Sequence, residues 1–140
     1  MKEKHIAEVR AFNRFYTGII GLLDRYILKS RYSLPEVRVL YELYHHKNIT
    51  ASEIISSLQM DKGYLSRILQ QFTRKRLVVK KISVADGRAV HLTLTPVGRN
   101  EFETLNRESD KQIQEILEKL SPDDCERLTR YMAEIRNLLT

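Results

Sequence analysis

The segment from Asp61 to Phe72 combines polar side chains with a regular apolar pattern. Leucine, isoleucine and phenylalanine recur every three or four residues, which predicts a helix with one buried face. The opposite face of this helix carries the polar side chains. The guanidinium group of an arginine can pair bidentately with guanine, and other polar groups can hydrogen-bond to bases or phosphates. We therefore expect this face to contact nucleic acid, with Arg67 the most important residue; the alternative is a solvated helix surface. The predicted contacts are Lys62, Gly63, Tyr64, Ser66, Arg67 and Gln70.

A second group with a similar potential lies further along the chain. Arg88 follows Asp86 by two residues, with Gly87 between them, in a predicted turn. An arginine at a loop tip can enter the minor groove of DNA, where A·T-rich sequence deepens the negative potential. We expect Asp86 to hold Arg88 through a charge-assisted hydrogen bond. The alternative is a simple hairpin turn with a surface ion pair worth ~0–1 kcal/mol.

The positive charge of the chain is concentrated around these two groups. Residues 61–91 hold eight basic and two acidic residues, which accounts for the whole net charge of +6. A basic block on an otherwise balanced protein indicates a polyanionic partner such as DNA, although such a block is often only solvated surface.

Local sequence signals predict the elements that position these residues. Capping residues at Ser33, Thr50 and Asp61 begin three helices, and the last two of these helices form a helix-turn-helix. Two extended runs, 77–83 and 89–94, then form a hairpin. We expect a winged helix-turn-helix core over about residues 33–95.

Amphipathic helices flank this core at both ends, over about residues 5–29 and 96–139. The fold class is thus mainly α with a small β-hairpin, in the order α-α-α-α-β-β-α-α, within a single domain spanning residues 1–140. The apolar stripes of the outer helices would lack a partner in a monomer. We expect a homodimer in which these helices form the interface and two recognition helices lie about one DNA turn apart.

The sequence resembles the MarR family of transcriptional regulators. The resemblance lies in the helix 60–67, the wing 85–90 and the segment 92–98, and it covers about Ile6 to Leu139. The chain departs from the family at Arg76, where glycine commonly precedes the first wing strand. The segments 10–16 and 63–69 also resemble the N-terminal part of fusions between such regulators and GNAT-type acetyltransferases. This sequence ends before any such domain, so we expect a free-standing relative of those proteins or a part of one.

The resemblance implies a sequence-specific, DNA-binding transcriptional regulator that recognises a pseudo-palindromic operator in double-stranded DNA. It also implies repression that a small phenolic or anionic effector releases. Aromatic side chains at helical spacing are more often core residues than ligand contacts. The residues that we expect to line an effector pocket are Tyr16, Tyr41, Tyr44 and His45.

Other function classes find little support in the sequence. It has no grouping of serine, histidine and aspartate and no glycine loop for phosphates, so we predict neither an enzyme nor a cofactor or metal. A single cysteine and the lack of a long apolar stretch favour a cytoplasmic protein without membrane contact. Two alternatives stay open: a regulatory module associated with a GNAT-type acetyltransferase, and a protein-interaction module built on the winged fold.

Overall fold

The computed structural model describes the chain except for residues 29, 30, 84 and 86 and the side chains of residues 20–28. Over these described residues the chain forms six helices and three short strands, so the predicted fold class is confirmed. The elements are α1 (Lys2–Leu28), α2 (Leu34–His45), β1 (Ile49–Thr50), α3 (Ala51–Leu58), α4 (Lys62–Arg74), β2 (Val78–Ile82), β3 (Val90–Leu94), α5 (Pro96–Leu117) and α6 (Pro122–Leu139).

The helices begin at the predicted capping residues. Ser33 and Glu36 form a complete capping box at α2, in which each side chain bonds to the other residue's backbone N–H. The Thr50 hydroxyl and the Asp61 carboxylate accept bonds from backbone N–H groups three residues later, at 3.2 and 3.0 Å. Each bond satisfies a backbone donor that the first turn of a helix would otherwise leave without a partner.

The three strands form an antiparallel sheet in the order β1-β3-β2. Strands β2 and β3 are the predicted hairpin, paired from Val78↔Leu94 to Ile82↔Val90. Strand β1 was missed, because two residues are too few to show an alternating pattern. Strand β1 pairs with β3 and so holds the connection between α2 and α3 against the hairpin. Next to it, the carbonyl oxygen of Asn48 lies 2.7 Å from Nδ1 of His91.

The chain divides into two compact units, Met1–Asn106 and Arg107–Thr140, with the boundary inside α5. The first unit contains the core, which α2, α3, α4, the sheet and the beginning of α5 enclose. Its completely enclosed members include Val39, Leu40, Ile54 and Phe72. In the second unit, the Cys125 thiol lies 3.6 Å from the carbonyl oxygen of Leu117. Within the part of the chain described, no helix is both long enough and apolar enough to cross a lipid bilayer.

Candidate nucleic-acid interface

Helix α4 has one buried face and one exposed polar face, as the sequence predicted. Leu65, Ile68, Leu69 and Phe72 are at most 5% exposed and anchor the helix in the core. All six residues predicted to contact nucleic acid are exposed. Because the core holds the apolar face, the polar face is presented to solvent in a fixed orientation.

Tyr64 and Arg67 contact each other on this exposed face. The guanidinium carbon of Arg67 lies 5.7 Å from the centroid of the Tyr64 ring, within the range of a cation–π interaction. The Asp61 cap bonds to the backbone N–H of Tyr64 at 3.0 Å, so the first turn that carries this tyrosine is itself fixed. The contact limits the orientations of the Arg67 side chain before any ligand binds.

A groove separates α4 from the sheet and from the beginning of α3. It encloses about 300 Å³, has an apolar floor that includes Leu65 and Leu92, and carries Lys62 and Lys80 among its lining residues. Two ammonium groups at one groove favour an anion such as a phosphate. Lys80 was not among the residues predicted to contact nucleic acid. It lies within the basic block of residues 61–91, which was a signal in the sequence, and the structure shows it exposed.

The predicted wing lies at the turn of the hairpin, between β2 and β3. Arg88 is exposed in the turn between β2 and β3. Asp86 lies outside the described residues, so the expected bond between Asp86 and Arg88 stays a prediction.

The turn from α4 into the wing contains a strained residue. Arg76 has φ of 59°, a left-handed conformation that glycine adopts more easily. The N–H groups of Arg76 and Leu77 donate to the carbonyls of Thr73 and Phe72, which is the Schellman pattern that ends many helices. The chain therefore makes a left-handed turn here with arginine, at the position where the resemblance led us to expect glycine. The Arg76 carbonyl also accepts a 2.6 Å bond from the Thr95 hydroxyl.

Three of the four residues predicted for an effector pocket lie together. The rings of Tyr41, Tyr44 and His45 surround Phe102 of α5, with centroid distances of 4.5 to 6.2 Å from that ring. Arg99 lies 4.9 Å from the Tyr44 ring centroid. Tyr16, by contrast, stacks on Phe12 of α1. The structure thus shows an aromatic cluster between α2 and α5.

Comparison with known proteins agrees with this architecture. Residues 32–89 match the family model described as MarR family. The HTH-type transcriptional regulator MhqR of Bacillus subtilis is 22% identical over 135 residues, which cover 96% of this chain and 93% of MhqR. The HTH-type transcriptional regulator YdgJ of the same organism is 27% identical over 105 residues, which cover 75% of this chain and 64% of YdgJ.

Solved structures of Staphylococcus aureus MepR share the fold. A MepR mutant superposes with a TM-score of 0.81 at 21% identity, covering 92% of this chain and 96% of that one. Another MepR mutant was solved bound to an oligodeoxyribonucleotide, with a TM-score of 0.67. MepR was also solved bound to ethidium bromide, with a TM-score of 0.66.

The family match covers the helix-turn-helix, β2 and the turn after it, where the exposed polar residues lie, and it ends before β3. The named relatives are regulators, so the prediction of a regulator rather than an enzyme is confirmed. The likeness to acetyltransferase fusions stays a prediction. From the fold, the matched segment and the named relatives together, this chain is a winged helix-turn-helix transcriptional regulator that is similar to the MarR family over residues 32–89.

Proposed function

We propose that the chain binds a pseudo-palindromic operator in duplex DNA as a homodimer. Helix α4 enters the major groove, and its six exposed residues contact bases and phosphates. The exposed, basic face of a helix whose other face is buried in the core is the observation that carries this proposal. An oligodeoxyribonucleotide bound to MepR supports it. Because the proposed partner is genomic DNA, we also propose a cytoplasmic location.

The groove and the wing extend the contact beyond α4. Lys62 and Lys80 bind phosphates of the backbone, and Arg88 reaches the adjacent minor groove. Asp86 holds Arg88 by a charge-assisted hydrogen bond, as the sequence predicts. Each phosphate that a lysine or arginine neutralises releases counterions, so the affinity falls steeply with salt.

Exposed apolar residues support the proposed homodimer. One group of them lies on α1 in the first unit and another on α6 in the second, and both groups are outside the proposed winged core over about residues 33–95. Apolar side chains on this scale are uncommon on a monomer's surface. The α1 residues are Ile6, Val9, Phe12 and Phe15, and the α6 residues are Tyr131, Met132, Ile135, Leu138 and Leu139.

We further propose that the protein is a repressor and that a phenolic or anionic aromatic effector releases it from DNA. The effector site is the cluster of Tyr41, Tyr44 and His45. Tyr16 stacks on Phe12 instead, so its part in the site stays a prediction from the sequence. Tyr41 is 50% exposed, so a ligand can reach the cluster, and Arg99 beside Tyr44 provides a cation for an acidic group. Ethidium bound to MepR supports a small-molecule site in a protein of this fold.

Selection from random duplexes tests the DNA-binding proposal. The purified protein is taken through several rounds at about 0.1 to 0.2 M salt, which suppresses binding that ignores sequence. We expect a palindromic motif for the unmodified protein and none for Arg67→Ala. Arg74→Ala is the matched control, because it removes the same charge from the exposed C-terminal end of the same helix. If no motif emerges, or if both variants select equally well, the proposal is wrong.

Titration of the selected operator with a panel of phenolic and anionic aromatic compounds tests the effector site. At least one compound should weaken binding by the unmodified protein, and Tyr41→Ala, at the half-exposed member of the cluster, should reduce that response while the affinity without the compound is retained. Operator affinity that no compound changes would contradict the proposed release.

A further inference from the structure

Tyr32 contacts two helices, the recognition helix α4 and helix α5. It directly precedes Ser33, the N-cap of α2, and is only 6% exposed. Its ring meets Phe72 of α4 edge-on, with centroids 6.2 Å apart, and Nζ of Lys75 lies 5.1 Å from the ring centroid. One side chain therefore contacts the C-terminal part of the recognition helix at two points.

The hydroxyl of the same residue bonds to α5. It donates to Oε2 of Glu101 at 3.1 Å, across 69 positions of sequence. Burial, and then the bond to this carboxylate, raise the pKa of Tyr32 to about 12. The hydroxyl therefore keeps its proton, and with it the bond, at any physiological pH.

A second tyrosine attaches the same part of α5 to the winged core. The Tyr44 hydroxyl donates to Oε1 of Glu103 at 3.1 Å, and the Tyr44 ring packs on Phe102. Glu101, Phe102 and Glu103 are consecutive, so the two bonds hold one turn of α5 against α2. Tyr32 differs from Tyr44 in that it also contacts α4.

From these contacts we infer that Tyr32 is a positioning residue that fixes the angle between the recognition helix α4 and helix α5. The inference rests on the proposed function. Most of α5 lies outside the proposed winged core, so in the proposed homodimer a change in this angle would move each recognition helix relative to the other. Tyr32 thereby determines which separation between operator half-sites the dimer accepts.

The test uses the full chain and the operator obtained by selection. Affinity is measured for that operator and for versions with one or two base pairs inserted between the half-sites. The readout is the affinity for the selected operator divided by the affinity for a lengthened one. Tyr32→Phe keeps the ring against Phe72 and Lys75 but removes the donor to Glu101. One hydrogen bond is worth a factor of about 2 to 10, so with one lost per protomer the ratio should fall by about 4- to 100-fold.

Variants of the acceptor provide the matched control. Glu101→Gln keeps an oxygen that accepts the Tyr32 hydroxyl and should retain the ratio, whereas Glu101→Ala should lower it as Tyr32→Phe does. If Tyr32→Phe does not fold, the difference between Glu101→Gln and Glu101→Ala still measures the effect of losing the bond. Binding to a duplex with a single half-site should be equal for all four proteins, because the polar face of α4 is unchanged.

Two outcomes overturn the inference and are distinguishable. If the unmodified protein discriminates between spacings and both Tyr32→Phe and Glu101→Ala do so within twofold of it, Tyr32 has only a structural role. If the unmodified protein selects no operator at all, the proposed function fails and the inference fails with it.

Discussion

Gly98 lies where α5 passes directly against the turn that leads into β2. A Cβ atom at this position would collide with the carbonyl oxygen of Leu77, and would lie 3.0 Å from the carbonyl carbon of Leu77 and from Cδ2 of Leu94. The carbonyl oxygen belongs to the backbone, so rotation of a side chain cannot relieve the collision. Gly98→Ala therefore requires the first turn of α5 to move away from the wing.

The cost of that movement follows from the contacts that it strains. The carbonyl of Leu77 accepts a 2.9 Å bond from the backbone N–H of Thr95, and the Thr95 hydroxyl donates to the carbonyl of Arg76 at 2.6 Å. Overpacking costs about 1–3 kcal/mol and a weakened hydrogen bond about 1 kcal/mol. We expect Gly98→Ala to lower the free energy of unfolding by about 2–4 kcal/mol.

Urea unfolding followed by circular dichroism measures this difference. The protomer concentration must be equal in every experiment, because dimer formation adds to the apparent stability. Gly87→Ala is the matched control: among the described residues, apart from its chain neighbours, no atom lies within 4 Å of its Cβ position, so the change should be within about 0.5 kcal/mol. A Gly98→Ala protein as stable as the Gly87→Ala protein would refute the reasoning.

Three further predictions concern stability. Arg76→Gly relieves the left-handed φ of 59° and should raise the free energy of unfolding by up to about 1 kcal/mol, whereas Arg76→Ala should not; urea unfolding of both variants decides the point. Asp61→Ala removes the cap of α4 and should cost about 1 kcal/mol, which Asp61→Ser should largely restore in the same assay. Because folding raises the pKa of Tyr32 from 10 to about 12, its contribution to stability is complete below pH 10 and is lost as the pH rises toward 12; the urea midpoint of the unmodified protein should fall more over this range than that of Tyr32→Phe, and equal losses would contradict the shift.

Features that depend on neighbouring residues could be predicted from the sequence. Ser33, Thr50 and Asp61 cap helices by bonds to N–H groups only three residues away, so a four-residue pattern contains the whole interaction. The two faces of α4 follow in the same way from a repeat of three to four residues. The hairpin of β2 and β3 follows from two extended runs and the turn between them.

The sequence could not show how distant segments meet. Strand β1 exists because Ile49 pairs with Leu92, and Lys80 joins Lys62 at one groove because β2 passes beside α4. At Arg76 the family glycine is absent, yet bonds to Thr95 and within the end of α4 hold the left-handed turn.

For this protein, the sequence by itself determined the order of the helices and of the two hairpin strands, and the basic face of α4, because short-range hydrogen bonds and regular apolar spacing specify them. Only the tertiary structure decided the contact between Gly98 and Leu77 and the bond from Tyr32 to Glu101. These contacts join residues far apart in the chain, and their geometry depends on how the intervening elements pack in the core.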